Sequence, residues 1–589
     1  MHSIIIQMKQ YLRQNYLIIF FGFFVMGYAL ILLIGPALGP TDDFIFLKTL
    51  QVGKPILYYS ANFPYYYYNA ILGGRFVPLA AMEYNLVGLL SKSPSAILYY
   101  LIHAIQFVVL MILLIKILKQ FTSNKFLIYL TPILISLTPG FTMSWFRLQL
   151  NERDVIFFLA IFILCYLTYL KNQKIVYLIG GLIAANIASY YRETVFIAIG
   201  AFAFIHFLIS WRTTGKKINP HTITNTNAPD AKRNMDSFGV GMKIFDALLF
   251  LSSLIYILIY YFVVYLHKNP NIVGFTPYSS IIVFIKNFIS CAFFGDPVLI
   301  LILIPFVIWR LFKALFKHEK LHPLYDSMLI TASIYIIGLF VLNIPLPRYL
   351  LPAYIFALPP LFVLFFGANE QKKLIWKIAL AVTAAMLILN VLPSGIHYLT
   401  FNKYLPINFD KTLNFLIQDI KANHPYGKAN IFIDNSGRNG DKEIYFILGE
   451  FLQFKGLSSQ QFDLKSDLLT VNPSPLLSSK SPETSLPFSI FKTDKPDKIS
   501  SGDYLIIEAL SEKNNVDNEY LQSLNKDYKL IFQTTSPLFF PDLNSKTILK
   551  IFFSQRLSYE QKAKSTLFRG LTINENLTHS PDYYVFVRR

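Results

Sequence analysis

Two adjacent carboxylates, Asp42 and Asp43, stand a few residues beyond the first long apolar stretch of the chain, in Gly39-Pro-Thr-Asp-Asp-Phe44. A carboxylate held at a bilayer surface is equipped to act as general base on an acceptor hydroxyl. Further along, ionised side chains recur in short polar interruptions between apolar runs. Arg147, Glu152, Arg153 and Asp154 fall within 145–154, Arg192 and Glu193 within 190–194, and Arg348 beside Tyr349 within 345–349. An arginine fork grips a phosphate through two parallel hydrogen bonds and stabilises charge that develops as the phosphate leaves. A base for a hydroxyl, with cations for a phosphate, suits glycosyl or phosphoryl transfer from a lipid-linked donor. Each piece also has a plainer reading: a solvated loop start for the aspartates, a local ion pair for Arg192 with Glu193, a helix anchor for Arg348. Whether the segments share one side of a membrane decides between these readings.

The composition points to a membrane. The 589 residues are 54% hydrophobic and 16% aromatic, with only 15% charged and a mean hydropathy of +0.46. A soluble globular chain of this size would lack polar surface to cover its core. The formal charge of +19 raises nucleic acid as a partner. However, the basic residues are scattered beside apolar runs, which is the orientation signal of membrane proteins, so no nucleic-acid partner is expected. Cys165 and Cys291 lie in apolar stretches and form neither a disulfide framework nor a metal motif.

Tyr16–Ile34 approaches the roughly 20 residues that cross a bilayer and reads as a retained anchor, with Lys9 and Arg13 holding the amino terminus in the cytoplasm. A first outer loop over 37–95 follows. Further apolar runs lie at 96–118, 126–142, 155–170, 175–190, 194–210, 244–266, 296–316, 326–343, 350–367 and 374–395. The reading is an α-helical polytopic membrane domain, 1–399, of about eleven spans. Every loop this assigns to the cytoplasm is basic, including the polar connection at 211–243. The segment 277–294 reads as lying along the outer interface. An odd number of spans places the tail outside. Residues 400–589 read as an extracytoplasmic α/β domain, with strands at 430–433, 503–508, 528–532 and 583–587 and helices at 410–420 and 442–454. It carries no phosphate loop, dinucleotide fingerprint or zinc spacing.

On this topology Asp42, Asp43, Glu152, Arg192, Glu193 and Arg348 emerge on the same outer face, at a depth where ionisable groups mark functional sites. That argues for a shared polar cavity. Arg75, in Gly73-Gly-Arg-Phe76, is a candidate phosphate ligand, and Glu83 a candidate second carboxylate. The tyrosines 58, 59 and 65–68 fit an interfacial aromatic belt or a sugar-stacking surface.

An acidic pair just after the first span, Arg192-Glu193 at an outer helix start, and Arg348-Tyr-Leu-Leu-Pro352 late in the membrane domain resemble the C-type (GT-C) superfamily of membrane glycosyltransferases. This superfamily includes protein O-mannosyltransferases, aminoarabinose transferases acting on lipid A, and O-antigen glucosyltransferases. The resemblance covers about the first 400 residues. It implies a GT-C-like fold and an inverting transfer from a polyprenyl-phosphate sugar, with a first-loop aspartate as base. The chain departs from the superfamily's Asp-Glu pair of protein mannosyltransferases and lacks a Trp-Trp-Asp sequence.

The expected activity is therefore sugar transfer to a cell-envelope glycan or lipid acceptor on the outer face of a bacterial inner (cytoplasmic) membrane. Asp43 or Asp42 would act as base, with Arg75, Glu83, Glu152, Arg192, Glu193, Arg348 and Tyr349 on the substrates. No nucleotide cofactor is expected, and a divalent metal at the aspartates is left open. Partners are the polyprenyl-phosphate-linked sugar, the acceptor and membrane lipids. The competing classes are a flippase or transporter of lipid-linked glycans, an O-antigen polymerase or ligase, and a receptor or assembly factor. The first should carry charges inside spans and internal repeats, the second a large outer loop late in the membrane domain.

Overall fold

The computed structural model describes residues 2–40, 75–91, 95–213, 240–267, 280–292, 296–366, 378–434, 442–465, 499–508, 521–548 and 580–589, apart from a few single positions within them. Asp42, Asp43, the 58–68 tyrosines and residues 214–239 of the basic connection lie outside the described residues.

Helix α1 (His2–Leu33) is followed, after the gap, by a 3-10 turn at Met82–Tyr84 and the short α2 (Asn85–Leu90). The membrane-domain helices are then α3 (Ala96–Phe121), α4 (Lys125–Ser136), α5 (Pro139–Phe146), α6 (Glu152–Asn172), α7 (Ile175–Tyr191), α8 (Val195–Thr213), α9 (Val240–Tyr260), α10 (Ile281–Ser290), α11 (Ile304–Phe316), α12 (Pro323–Val341) and α13 (Leu351–Phe366). Helix α14 (Leu392–Asn423) leads into the carboxy-terminal part.

The exposed faces of these helices are apolar. On α3, Ile97, Leu101, Ile105, Val109 and Ile112 are exposed, whereas Tyr100, His103, Phe107, Leu110 and Leu114 are buried. The outward stripe recurs every three or four residues and suits hydrocarbon, so the interior is set by side-chain fit. On α7 the buried face carries Gly181, Ala184, Ala185 and Ala188. These small residues allow the close approach that lipid-embedded helices rely on for packing. Among the described residues six helices are long and apolar enough to cross a membrane. A seventh is counted if α4 and α5, bent by 62° at their junction, form one broken span.

Among the described residues, length and composition thus support six or seven of the expected eleven spans, and part of the run expected at 374–395 lies outside the described residues. The run expected at 126–142 is not straight, because Thr138 is extended ahead of Pro139, which opens α5. The residue before a proline is pushed out of helical geometry. Helices α7 and α8 are each apolar but short.

The division expected at 399/400 falls inside the continuous α14. Beyond it, β1 (Ala429–Asp434), α15 (Lys442–Phe454), β2 (Phe462–Lys465), β3 (Tyr504–Ile507), β4 (Tyr528–Gln533) and β5 (Tyr584–Arg588) build one five-stranded sheet in the order β2-β1-β3-β5-β4. Strands β2, β1 and β3 are parallel, and β5 runs antiparallel to β3 and β4. The sheet's segments are tied back to α14. Asn408 Nδ2 donates to the Pro581 carbonyl at 2.7 Å, and Ser394 Oγ donates to Asp542 at 2.8 Å. Gly395 lies so close to the Leu137 carbonyl that any side chain there would collide. Helix α14 is thereby seated against the α4–α5 bend.

Candidate active site

The polar interruptions named from sequence converge because the chain turns sharply at each. Helix α7 ends as Arg192 becomes extended (φ −152°, ψ 119°), and α8 starts at Val195. Arg192 and Glu193 are therefore held in a tight inter-helix corner. Glu152, Arg153 and Asp154 fill the first turn of α6, where acidic groups complement the helix dipole. Arg348 and Tyr349 sit in a 3-10 turn, Pro347–Leu350, that leads into α13. Gly140 on α5 packs directly against this turn; a Cβ there would lie 2.9 Å from Arg348 Cα.

The charges fall into two linked groups. In the first, Arg153 is fully buried and pairs with Glu83 and with Asp154, the latter at 2.8 Å. Gln106 Nε2 donates to Asp154 at 2.8 Å. His103 Nδ1 lies 2.7 Å from the Trp145 carbonyl, so it carries the proton, leaving Nε2 to accept from Arg153. Tyr84 accepts from Arg153 at 3.0 Å and donates to the Leu148 carbonyl. Burial, reinforced by Asp154 and opposed by Arg153, raises Glu83 to about 8. Two carboxylates thus share one guanidinium, which favours the protonated form of Glu83 relative to an ordinary carboxyl. Most of its polar atoms are paired at short range, although Arg153 Nε and Gln106 Oε1 are buried without a hydrogen-bond partner.

The second group is held more loosely around Glu152. Arg75 is ion-paired with Glu193. Burial would raise Glu193, but Arg75 and Arg192 outweigh it and hold the carboxyl below its ordinary range. Arg192, 7% exposed, lies over the Tyr349 ring, its Cζ 4.1 Å from the centroid. Its Nη1 is 3.6 Å from Glu152 Oε1, and Arg348 Nε approaches the same oxygen at 3.8 Å. Both separations exceed a hydrogen bond. Arg192 Nε and Nη2, Glu152 Oε2 and Arg348 Nε are buried without a hydrogen-bond partner. Nε and Nη2 form one edge of the guanidinium, the edge that matches two oxygens of a phosphate or carboxylate. Three arginines, Arg75, Arg192 and Arg348, face two carboxylates, Glu152 and Glu193. Buried polar groups are ordinarily satisfied, and the open guanidinium edge is chemically suited to an anion.

The groups touch where Tyr191, the residue before Arg192, donates to Glu83 Oε2 at 3.3 Å. The structure therefore brings Arg75, Glu83, Glu152, Arg192, Glu193, Arg348 and Tyr349 into one region. Leu38, Gly39 and Pro40, the last described residues before Asp42, are buried, and Lys403 of α14 donates to the Ile34 carbonyl just upstream. Sequence reasoning missed Tyr84, His103, Gln106 and Tyr335. His103 and Gln106 carried a signal, as polar residues inside the apolar 96–121 run. Tyr335, whose hydroxyl lies 3.2 Å from Thr194 Oγ1, carried none. Among the described residues no three His, Cys, Asp or Glu side chains are grouped to hold a metal ion.

No family model and no curated protein matches the sequence. Among solved structures, the chain is similar to the archaeal oligosaccharyltransferase AglB from Archaeoglobus fulgidus, determined in complex with an inhibitory peptide and a dolichol-phosphate. The identity is 11%, the TM-score 0.38, and the match covers 98% of this chain and 89% of that one.

Proposed function

We propose that this chain is a multi-pass membrane glycosyltransferase that moves a sugar from a polyprenyl-phosphate donor to a glycan or lipid acceptor of the cell envelope, at the outer membrane face. The observation that carries the reading is the unpartnered Nε/Nη2 edge of Arg192, buried beside Arg348 in a bundle whose outer surface is apolar. A ligand that brings a phosphate to that edge and an apolar tail to the surrounding lipid satisfies both features.

In the proposed reaction Asp43, or Asp42, accepts the proton of the acceptor hydroxyl. The acceptor oxygen bonds to the anomeric carbon, and the bond from that carbon to the phosphate oxygen breaks. The single displacement inverts the anomeric centre. The phosphodiester carries one negative charge, and the departing polyprenyl phosphate carries two. Arg192 and Arg348 meet the added charge where it develops, the differential stabilisation that lowers a barrier.

Sugar transfer by purified Asp42→Asn and Asp43→Asn variants tests the assignment. General-base catalysis contributes about 100- to 10,000-fold, so a loss of that size is expected in at least one variant. Turnover near wild type in both variants contradicts the aspartate assignment.

A further inference from the structure

We infer that Glu152 reads a hydrogen-bond donor on the sugar itself, namely the hydroxyl beside the anomeric phosphate; this rests on the donor class proposed above. Glu152 is 3% exposed, and its Oε1 stands off both arginines at 3.6 and 3.8 Å. Its Oε2 has no hydrogen-bond partner. A phosphate alone brings only acceptors and negative charge. It would satisfy Arg192 and leave the buried carboxylate worse placed, next to a second anion with its lone pairs unused. A head group that sets an O–H a few ångströms from its phosphate oxygens satisfies both partners together. A glycosyl phosphate with a hydroxyl at C2 is such a group; a bare polyprenyl phosphate and a 2-deoxy glycosyl phosphate are not. The same carboxylate helps release: once the sugar has left, Glu152 again faces an anion without a donor, which weakens the hold on the product.

The effect of removing the charge therefore has opposite signs for two ligands. In Glu152→Gln, bare short-chain polyprenyl phosphate binds several-fold tighter than in the wild type. The preference for polyprenyl phosphoglucose or phosphomannose over its 2-deoxy counterpart, at least tenfold in the wild type for one of the two, falls by about fivefold or more. Glu152→Met, which removes the acceptor altogether, abolishes the preference, and melting curves report whether each variant is folded. Arg192→Gln serves as the control for the donor class. If it leaves binding of bare polyprenyl phosphate unchanged, the phosphate reading fails. If it weakens that binding while Glu152→Gln keeps the C2 preference, the phosphate reading stands and the role of Glu152 is overturned. A wild type with no C2 preference for either sugar overturns it as well.

Discussion

Replacing Arg192 by lysine keeps a positive charge at the corner between α7 and α8 but removes the planar pair of donors. Arg192 makes an ion pair with Glu152 at 3.6 Å and lies over Tyr349, 4.1 Å from the ring centroid. A desolvated cation–ring contact contributes about 2 kcal/mol, part of which the lysine ammonium retains, so the stability cost of the change stays below about that. The cost to binding is larger. Hydrogen bonds to charged groups contribute about 1.5–3 kcal/mol each, and an ammonium retains one of the two bonds that the Nε/Nη2 edge makes. Losing the other predicts a Kd for polyprenyl phosphate weaker by about 10- to 150-fold, at about 1.4 kcal/mol per factor of ten. Arg192→Gln, which removes the charge too, loses at least about 100-fold on the same scale. The assay is titration of a fluorescent short-chain polyprenyl phosphate into detergent-solubilised protein, with thermal melts alongside. Both variants binding within twofold of wild type, at unchanged melting temperature, would refute the idea that this edge seats a phosphate.

Three further outcomes are expected. Glu83 holds its proton up to about 8 through burial and its neighbour Asp154; a raised carboxyl pKa contributes stability that is full below the ordinary value and is lost as pH rises through the folded one. Wild-type melting temperature should therefore fall from pH 6 to 9 more steeply than that of Glu83→Gln, and parallel slopes would count against the raised Glu83 carboxyl. Gly140→Ala presses a methyl against the Pro347–Arg348 backbone, an overpacking cost of about 1–3 kcal/mol, and should weaken donor binding through displaced Arg348; unchanged binding would mean that the turn is free to shift. Reporter fusions after Lys217 and after Thr400 should report opposite compartments, as the basic inner loops require; the same compartment for both removes the outer-face placement.

Much of this was legible in the residues because the strongest signals were local. Strands β1, β3, β4 and β5 and helix α15 fall where alternation and helical spacing placed them, within a residue or two. Strand β2, Phe-Asp-Leu-Lys at 462–465, is only four residues long with two charged side chains, too short for its alternation to stand out. The count of spans was less accessible, since hydropathy does not register the 62° break between α4 and α5 at Thr138–Pro139. For the site, charge at the ends of apolar runs singled out Arg192, Glu152 and Arg348. Which carboxylate meets which guanidinium was not readable. Arg192 and Glu193 are adjacent in sequence, yet Glu193 turns to Arg75 and Arg192 to Glu152. Pairings across 40 residues or more depend on how α6, α7 and the first loop pack, and no local pattern encodes that.

A single reaction, run with purified protein in liposomes with a labelled polyprenyl-phosphate sugar and extracted envelope glycolipids, bears most heavily on the proposed activity. Wild-type protein should release polyprenyl phosphate in step with sugar incorporated into the acceptor, and Arg192→Gln, folded by its melting curve, should release almost none. Wild-type protein that binds the donor yet releases no polyprenyl phosphate with any envelope fraction, or an Arg192→Gln variant that turns over at the wild-type rate, would contradict it.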